Sequence, residues 1–570
     1  MPGIKRMAIF DRDIDRLKLQ EYDVVIVGAG ISGAWLALHC AQSGLSVAVI
    51  EKADFASQTS SSSSKLLHGG IRYLQQLQFF KVRESAMERA HYIYAAAHHS
   101  TPVPFAIPTY KDFARSKLFL RAGMLAYRLL CYGENKIIGS KEEALPPITS
   151  VSKQGMNDLY DMGEVEHTGA VVFYERHMIN SERMVLSILK TAAQFGAHIV
   201  NYTQANHYLT ESNRVVGLDL TDLISNQNLT IRSKLVLNAA GPWIDSLNGS
   251  LKSAKQGPSI DAFAVGSHII TRKISDHAIA LTTKHQSDAK IDRGGRHVFV
   301  IPWRDYSLIG TSYDEIDEPH SNLSIEAGHV EQLLEVINEA LPNARLQNND
   351  LVSGYSGLYP LRTDNIQSAV YQGSGEYQII DHAKCDKLDG LVTALGAKFT
   401  TGRKLSALTM KLVAEKLGKN ADLNKTKLLD ANYHSLEQFT QEKLSKYEHL
   451  LGHKTIKHLI SHYGSLLDEF MSFCSNQPEL LEVICHNQCD IFAQVAWAIE
   501  NEQAKTLSDV IFRRTSVGFF GINKTELVNV ANMMSIALSW SGERTQGEIY
   551  NNMKQLRSIN NALLSAKNFL

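Results

Sequence analysis

The amino-terminal part of the chain alternates between short apolar runs and longer segments with helical periodicity. Buried strands are predicted for Asp23 to Val27 and Leu45 to Ile50, with a helix between them that ends near Ser43. The same alternation resumes with a helix at 182–195 and a strand at 197–202. Strands that alternate with helices predict βαβ units and a parallel sheet, so an α/β fold is expected.

The later part of the chain shows two other patterns. Residues 260–380 contain strand-like runs, at 267–270, 297–303 and 307–311, which predict an antiparallel sheet with one buried face. Residues 418–432 are polar and resemble a linker, and the periodicity is helical from there to the carboxyl terminus. The predicted architecture is therefore a Rossmann-like domain, an antiparallel-sheet domain and an all-helical domain.

The chain has 570 residues, which is too long for one compact domain. The patterns divide it into a leader (1–21), a discontinuous nucleotide-binding domain (22–100, 160–260 and 381–417), a substrate domain (101–159 and 261–380), a linker (418–432) and a helical domain (433–570).

Composition narrows the function mainly by exclusion. Hydrophobic content of 44% and charged content of 21% are typical of a soluble enzyme, and a net charge of −1 provides no basic field for nucleic acid. The six cysteines are scattered without a metal-binding pattern and suit a reducing compartment. No signal peptide, spanning helix or metal site is predicted, and a cytoplasmic protein is expected.

A glycine loop joins the first strand to the first helix and predicts a dinucleotide site. Gly28 permits the tight turn, Gly30 the approach of a pyrophosphate, and Gly33 the packing of helix on strand. Glu51 ends the next strand, where a carboxylate can bind the ribose. An ordinary βαβ unit with glycine turns is the alternative. The predicted nucleotide contacts are Gly28, Ala29, Gly30, Ile31, Ser32, Gly33, Glu51 and Lys52.

The segment from Thr59 to Leu74, with sequence TSSSSSKLLHGGIRYL, is more specific than the glycine loop. It resembles the signature of the FAD-dependent glycerol-3-phosphate dehydrogenases and the related glycerophosphate oxidases. Further segments resemble this family in order along the chain, at 239–243, 299–303, 308–311, 396–404 and 504–515. The resemblance covers nearly the whole chain.

This resemblance implies non-covalently bound FAD and the oxidation of a secondary alcohol by hydride transfer to flavin N5. The most favoured reaction is oxidation of sn-glycerol 3-phosphate to dihydroxyacetone phosphate, with a quinone or O₂ as electron acceptor. The implied flavin contacts are Thr59, Ser60, Ser61, Ser63, Ser64, Leu66, His68, Gly69, Ala240, Gly241, Trp243, Gly396, Lys398, Phe399 and Thr400.

Five residues are implied at the reacting end of the flavin. Arg72 and Tyr73 would face the substrate, and cations such as Lys398 near the ring would raise the flavin potential. The base that takes the hydroxyl proton stays open among His68, His268 and Lys398.

The substrate side departs from the family pattern. Tyr359 stands where the family carries an arginine that holds the substrate phosphate, and Gly375-Glu376-Tyr377 replaces an Arg-Asp-Tyr sequence. Bidentate guanidinium–phosphate pairs supply much of the binding of a small dianion. Arg362 is nearby, although its odd offset would point it away on a strand. Tyr313, Tyr359 and Arg362 are the predicted substrate-pocket residues.

These departures keep other hypotheses open. One is a flavin oxidase or dehydrogenase of a non-phosphorylated alcohol or amine in a biosynthetic pathway. Another is a flavoprotein that has lost catalysis and serves as a binding module. A homodimer is also kept as a hypothesis.

Residues 109–135 form a basic segment with bulky apolar residues. Such a helix can lie in a membrane interface, which would place a peripheral enzyme at the cytoplasmic face of the membrane. The alternative is a core helix whose cations face water. Membrane contact through this segment is therefore a hypothesis.

Overall fold

The structure, a computed structural model, describes residues 10–160, 162–249, 251, 260, 262–282, 297–316, 318–319, 323–361, 377–396 and 398–565. The strands are β1 (Tyr22–Val27), β2 (Val47–Ile50), β3 (Leu66–Leu67), β4 (Ser100–Thr109), β5 (Thr149–Val151), β6 (Gly169–Met178), β7 (His198–Val200), β8 (Thr203–Glu211), β9 (Arg214–Asp222), β10 (Gln227–Asn238), β11 (Ala262–Arg272), β12 (Ala278–Thr282), β13 (His297–Trp303), β14 (Tyr306–Gly310), β15 (Asp314–Ile316), β16 (Leu351–Leu361), β17 (Gln378–Asp381) and β18 (Leu391–Leu395).

The helices complete the element list. They are α1 (Ile31–Gln42), α2 (Ile71–Gln75), α3 (Phe79–Ala95), α4 (Lys117–Leu130), α5 (Glu134–Ile138), α6 (Lys153–Leu159), α7 (Ser181–Gln194), α8 (Ile244–Asn248), α9 (Ala327–Ala340), α10 (His382–Cys385), α11 (Gly402–Leu417), α12 (Leu436–Tyr447), α13 (His453–Tyr463), α14 (Leu467–Phe473), α15 (Phe492–Asn501), α16 (Leu507–Asp509), α17 (Lys524–Leu538) and α18 (Gly542–Ser565). In the amino-terminal segment, Asp15–Lys18 forms a 3₁₀ turn.

The first sheet is the predicted Rossmann-like sheet, with strand order β17-β18-β10-β1-β2-β7. β1 runs parallel to both β10 and β2. Its apolar run is continuous because both faces are covered. Val24 and Ile26 pack with the helices α1, α7 and α11, while Val25 packs on the opposite face among residues of β8 and β9. The carboxyl end of β1 therefore opens into the glycine loop and α1.

The second sheet has ten strands, with the main order β15-β11-β14-β13-β12-β4-β6-β3. Most neighbours are antiparallel, although β12 runs parallel to β4. The sequence assigns 160–260 to the nucleotide-binding domain, but β6 pairs with β4 over ten residues and lies in this second sheet. An apolar run alone does not indicate which sheet a strand joins, because partner choice depends on the neighbouring chain.

The prediction of one buried face is wrong for this sheet. Phe299 and Val300 point to opposite faces, and both are buried in separate hydrophobic clusters. α9 covers the face of Val300, and helical-domain residues such as Phe519 cover the face of Phe299. The strand is consequently apolar at consecutive positions.

The carboxyl-terminal domain is helical as predicted, and it is joined to the first sheet by buried ion pairs. Asp54 receives hydrogen bonds from Arg514 at 2.8 and 2.9 Å and is also paired with Arg513. Arg183 on α7 contacts Glu502 at 2.7 Å. No helix in the described ranges is long and apolar enough to cross a membrane.

Candidate active site

A cavity of about 1070 Å³ lies at the carboxyl ends of β1 and β2 and is lined by residues of both sheets. One end is formed by the glycine loop and the turn after β2. The other end is formed by the serine-rich segment, α2, β11, β16 and the turn that precedes α11. The two ends match the nucleotide side and the substrate side of the sequence prediction.

Glycine is required at the nucleotide end because backbone atoms approach closely there. Gly28 has φ of +99°, and a Cβ atom on it would lie 2.7 Å from the Ala239 carbonyl oxygen. A Cβ on Gly33 would lie 1.8 Å from the carbonyl oxygen of Gly28, so only glycine lets α1 pack on this turn. The Ile31 N–H donates to Ser60 Oγ at 3.0 Å, which holds the serine-rich segment over the start of α1.

The Glu51 carboxylate shapes the glycine loop. Its two oxygens accept hydrogen bonds from the N–H groups of Ala29 at 2.8 Å and Ala53 at 2.9 Å. Burial raises the pKa of Glu51, and the two N–H groups oppose that shift. Glu51 and Lys52 both line the cavity, at the position where a ribose would lie. The close backbone approach, the α1 amino terminus and this carboxylate together fit a dinucleotide.

A buried lysine anchors the serine-rich segment from behind. Lys65 is fully buried and donates to Glu182 Oε1 at 2.7 Å, Ser61 O at 3.1 Å and Ser181 Oγ at 3.2 Å. Tyr355 on β16 donates to the Ser63 carbonyl at 2.7 Å. The segment is thereby fixed against both sheets, so Ser62, Ser63 and Ser64 line the cavity.

His68 lies at the cavity wall above a buried carboxylate. Its side chain is 33% exposed, and its Nδ1 lies 4.0 Å from Glu175 Oε1. Glu175 Oε2 accepts the Gly69 N–H at 2.8 Å and pairs with Arg89. Glu175 Oε1 is buried and has no hydrogen-bond partner among the described residues. The backbone of the His68–Gly69 turn is therefore held by Glu175, and one carboxylate oxygen remains directed toward the imidazole.

His268 is held more tightly than His68. Its Nε2 lies 2.9 Å from Ser64 Oγ, its ring stacks on Tyr355 with 5.2 Å between centroids, and only 4% of the residue is exposed. Burial and the nearby Lys65 cation lower the pKa of His268 to about 3. The imidazole is therefore neutral near pH 7.

Most of the predicted site residues are brought together in this cavity. Those that line it are Gly28, Gly30, Ile31, Ser32, Glu51, Lys52, Thr59, Ser60, Ser63, Ser64, Leu66, His68, Tyr73, Ala240, Gly241, Trp243, His268, Tyr359, Gly396, Lys398, Phe399 and Thr400. Arg72 lies in α2, where the structure describes its backbone only, and Arg362 lies outside the described residues.

Five predicted residues do not line the cavity, each for a local reason. The Ala29 N–H is turned to Glu51, and the Gly69 N–H to Glu175. Gly33 packs beneath the glycine turn, and Ser61 donates to the Gln58 carbonyl. Tyr313 packs beside a small cluster of Ala262 and Ala264.

Several lining residues are absent from the sequence prediction. Gly357 could have been predicted, because a glycine within a strand often marks a close approach of another backbone. A Cβ on Gly357 would lie 2.5 Å from the Ser62 carbonyl oxygen. Polar positions of β8, β9 and β10 carry no comparable signal, because they alternate as in any half-exposed hairpin. The missed lining residues include Ser62, Gly266, Thr311, Gly357, Gln204, Asn206, His207, Asp219, Asn228 and Thr230.

Comparison with known proteins agrees with this geometry. Residues 23–416 match the family model described as FAD dependent oxidoreductase, and residues 424–545 match the C-terminal domain of alpha-glycerophosphate oxidase. A glycerol-3-phosphate dehydrogenase of Synechocystis sp. is 28% identical over 94% of this chain and 97% of its own length. An aerobic glycerol-3-phosphate dehydrogenase of Staphylococcus saprophyticus is 28% identical over 89% of both chains.

A solved structure shares the fold over nearly the whole length. The glycerol-3-phosphate dehydrogenase from Bacillus halodurans, complexed with FAD, superposes with a TM-score of 0.75 at 23% identity. The alignment covers 96% of this chain and 97% of that protein.

Proposed function

The chain belongs to the FAD dependent oxidoreductase family, and we propose that within it the protein oxidises sn-glycerol 3-phosphate to dihydroxyacetone phosphate. FAD is the cofactor, and the enzyme acts on CH–OH donors. The narrower substrate assignment is supported by the carboxyl-terminal match to alpha-glycerophosphate oxidase and by the named relatives that share the full length.

One structural observation carries the proposal. The glycine loop and the cation-bearing end of the site belong to the same cavity, so a dinucleotide bound at Gly28 and Gly30 can extend toward Lys398, His68 and His268. A small polyol phosphate could then lie between the cofactor and the β11–β16 wall.

Oxidation of a secondary alcohol removes a proton from oxygen and a hydride from carbon. Bound FAD supplies the hydride acceptor. We assign the proton to His68, because its imidazole borders the cavity and Glu175 lies behind it to stabilise the charge that the proton brings. The His268 ring is buried and its Nε2 is occupied by Ser64, so its role is to position the serine-rich segment.

The substrate phosphate requires a positive charge, which the arginine of the family pattern does not supply here. Tyr359 stands at that position, on β16 opposite Ala264, and lines the cavity. Among the described lining residues, the lysines and arginines are Lys52, at the nucleotide end, and Lys398, at the substrate end. We therefore assign the phosphate to Lys398, with the Tyr359 hydroxyl as a hydrogen-bond donor.

We further propose that the electrons pass to a quinone at the cytoplasmic face of a membrane. α4 buries Leu120, Met124 and Tyr127 on one face, yet its opposite face is apolar and exposed. We group this face with the exposed apolar residues at the start of α3, in the turn before α3 and in the segments that flank α4, and call the group the apolar surface. Its residues are Leu77, Phe79, Phe80, Phe113, Leu118, Leu125, Leu129 and Tyr132.

Two features connect this surface to an anionic membrane and to the site. Arg121 and Arg128 are exposed along the same helix, where they could meet lipid phosphates. Arg83 on α3 donates to the carbonyls of Leu130 and Tyr132, each at 3.1 Å, which joins the two parts of the surface. α2, which carries Tyr73, packs in the same hydrophobic cluster as the inner face of α4.

Anaerobic flavin reduction tests the substrate assignment. Addition of sn-glycerol 3-phosphate to the oxidised holoenzyme should bleach the flavin absorbance, whereas glycerol, glycine and secondary amines at the same concentration should not. Persistent yellow colour with glycerol 3-phosphate, together with bleaching by a non-phosphorylated compound, would refute the assignment.

A further inference from the structure

Two histidines and an aspartate meet at a buried position outside the cavity. His98 and His99 lie in the 3₁₀ turn Ala97–His99 between α3 and β4, and Asp430 lies before the helical domain. The three residues are at most 4% exposed. Asp430 Oδ2 is 3.0 Å from His99 Nε2 and 3.5 Å from His98 Nε2, and the three atoms lie within 4.8 Å of one another.

Both ring nitrogens of His99 face hydrogen-bond acceptors. Nδ1 lies 3.1 Å from the Ser461 carbonyl, and Nε2 faces the Asp430 carboxylate. A carbonyl can only accept, so the proton belongs on Nδ1. Nε2 must then carry a second proton, or present its lone pair to a cation that the carboxylate shares.

The surroundings of His98 favour a shared cation over a second proton on His99. Tyr433 Oη accepts the His98 backbone N–H at 3.1 Å and lies 2.9 Å from Nδ1. His98 Nε2 is buried, and none of the residues that the structure describes forms a hydrogen bond with it. A Cβ on Gly464 would lie 2.7 Å from His98 Nε2 and 2.0 Å from the Asp430 carbonyl oxygen, so only a glycine lets this backbone pack against the cluster.

We propose that His98 Nε2, His99 Nε2 and Asp430 Oδ2 form a binding site for a divalent transition-metal ion, with Zn²⁺ as the best match to two imidazoles and one carboxylate. Tetrahedral bonds of about 2.0–2.2 Å to a shared Zn²⁺ place its ligands about 3.3–3.6 Å apart. The separation of 3.5 Å from Asp430 to His98 falls in this range, and the 3.0 Å separation from Asp430 to His99 widens slightly when an ion binds.

The groups behind the three ligands suit this role. The Ser461 carbonyl holds the His99 Nδ1–H, and Ser187 Oγ donates to Asp430 Oδ1 at 2.6 Å. Metal-bound histidines usually donate their other N–H to such an acceptor, which fixes the ring orientation. The ion would join the end of α3, the segment before the helical domain and α13.

A second histidine pair in the helical domain provides a contrast. His458 Nε2 is bonded to Asp490 at 2.9 Å, and the other Asp490 oxygen receives Arg304 at 3.1 Å. His462 Nδ1 lies 3.0 Å from the His458 carbonyl, and its Nε2 lies 3.2 Å from the Asn180 amide. Both nitrogens of His462 are therefore satisfied without an ion, and this cluster serves as an internal control.

Metal content of the tag-free, full-length holoenzyme tests the proposal. We expect about one equivalent of zinc per chain by elemental analysis, or uptake of one Zn²⁺ in titration calorimetry after treatment with a chelator. Chelation should lower the melting temperature of the wild type, and added Zn²⁺ should restore it.

Two variants extend the test. His99→Gln and Asp430→Asn should bind Zn²⁺ at least about tenfold more weakly and lose the response to chelator. His458→Gln should retain both the zinc and the response. Retained FAD absorbance shows that a variant is folded. If chelator-treated wild type takes up neither Zn²⁺ nor Co²⁺, the cluster is a hydrogen-bonded imidazolium–carboxylate group and the proposal is wrong.

Discussion

The Nζ atom of Lys398 lies 3.6 Å from the centre of the Tyr73 ring, so the turn before α11 contacts α2 across the cavity. Aromatic faces attract cations, by about 0.5–2 kcal/mol depending on exposure. Both side chains line the cavity, and the contact holds the ammonium at the substrate end. Lys398 is therefore a fixed positive charge at the substrate end, as the proposed phosphate binding requires.

Replacing Lys398 should impair use of a phosphorylated substrate. Because each charged hydrogen bond contributes about 1.5–3 kcal/mol, Lys398→Met should lower kcat/KM for glycerol 3-phosphate by about 10- to 150-fold. Steady-state kinetics and the FAD content of each preparation provide the measurement. Lys81→Met is the control, because Lys81 Nζ lies 5.7 Å from the same ring but does not line the cavity. Equal losses in the two variants would contradict the assignment.

The two histidines of the site should respond differently to substitution. His68→Gln should lower kcat by about 10²–10⁴-fold, the usual effect of removing a general base. His268→Gln should cause a smaller loss and leave the pH profile of kcat/KM unchanged between pH 5 and 8. The pKa of His268 is lowered to about 3, so its charge does not change in that range.

Stopped-flow flavin reduction across pH distinguishes the two roles. An acid limb in the wild-type profile should disappear in His68→Gln and persist in His268→Gln. If the limb disappears only in His268→Gln, His268 is the proton acceptor.

The cofactor side of the site could be predicted from sequence because its chemistry depends on backbone geometry. Gly28 and Gly33 occupy positions where a Cβ would overlap backbone atoms, and such constraints leave a local motif. Serine-rich residues such as Ser60 could be placed only through the family resemblance, since a run of serines alone is also typical of a linker.

Other features could not be predicted because they depend on contacts between distant segments. Lys65 lies within the serine-rich segment, yet its partner Glu182 is 117 residues away and nothing local indicates the pair. The ion pair of Asp54 with Arg514 is a similar case, because the two residues are 460 positions apart. The two covered faces of the second sheet also depend on α9 and the helical domain, which are remote in sequence.

Removing the buried carboxylate between the two domains should destabilise the holoenzyme. Burial alone would raise the pKa of Asp54, but Arg514 and Arg513 lower it to about 2, so it is ionised at all ordinary pH values. Asp54→Asn removes the carboxylate that the two guanidinium groups share and leaves them only Asp509 and Glu502 as acidic partners, at a cost of about 3–5 kcal/mol. The melting temperature, followed by release of FAD fluorescence, should fall by several degrees. Because Ala53 and Ala56 beside it line the cavity, FAD affinity should fall as well.

An exposed pair that also joins the helical domain to a sheet provides the control. Lys454 contacts Asp305 at 2.5 Å, but the two side chains are 68% and 60% exposed. Exposed ion pairs contribute about 0–1 kcal/mol to the free energy of unfolding. Asp305→Asn should therefore leave the melting temperature nearly unchanged. A comparable effect of the two substitutions would contradict the interpretation that Asp54 anchors the helical domain.

Negative charges introduced on the outer face of α4 should abolish membrane binding and leave catalysis intact. Leu125 and Leu129 are 60% and 68% exposed, so Leu125→Glu/Leu129→Glu should cost little stability but oppose insertion beside lipid phosphates. The double variant should lose co-sedimentation with phosphatidylglycerol vesicles and activity with a membrane quinone, while it retains activity with a soluble dye. Wild-type binding should weaken with salt, because Arg121 and Arg128 contribute electrostatic attraction.

Ile536→Glu, at a position 83% exposed on α17, is the control and should bind vesicles normally. Unchanged vesicle binding by the α4 variant would show that this helix is not the membrane contact.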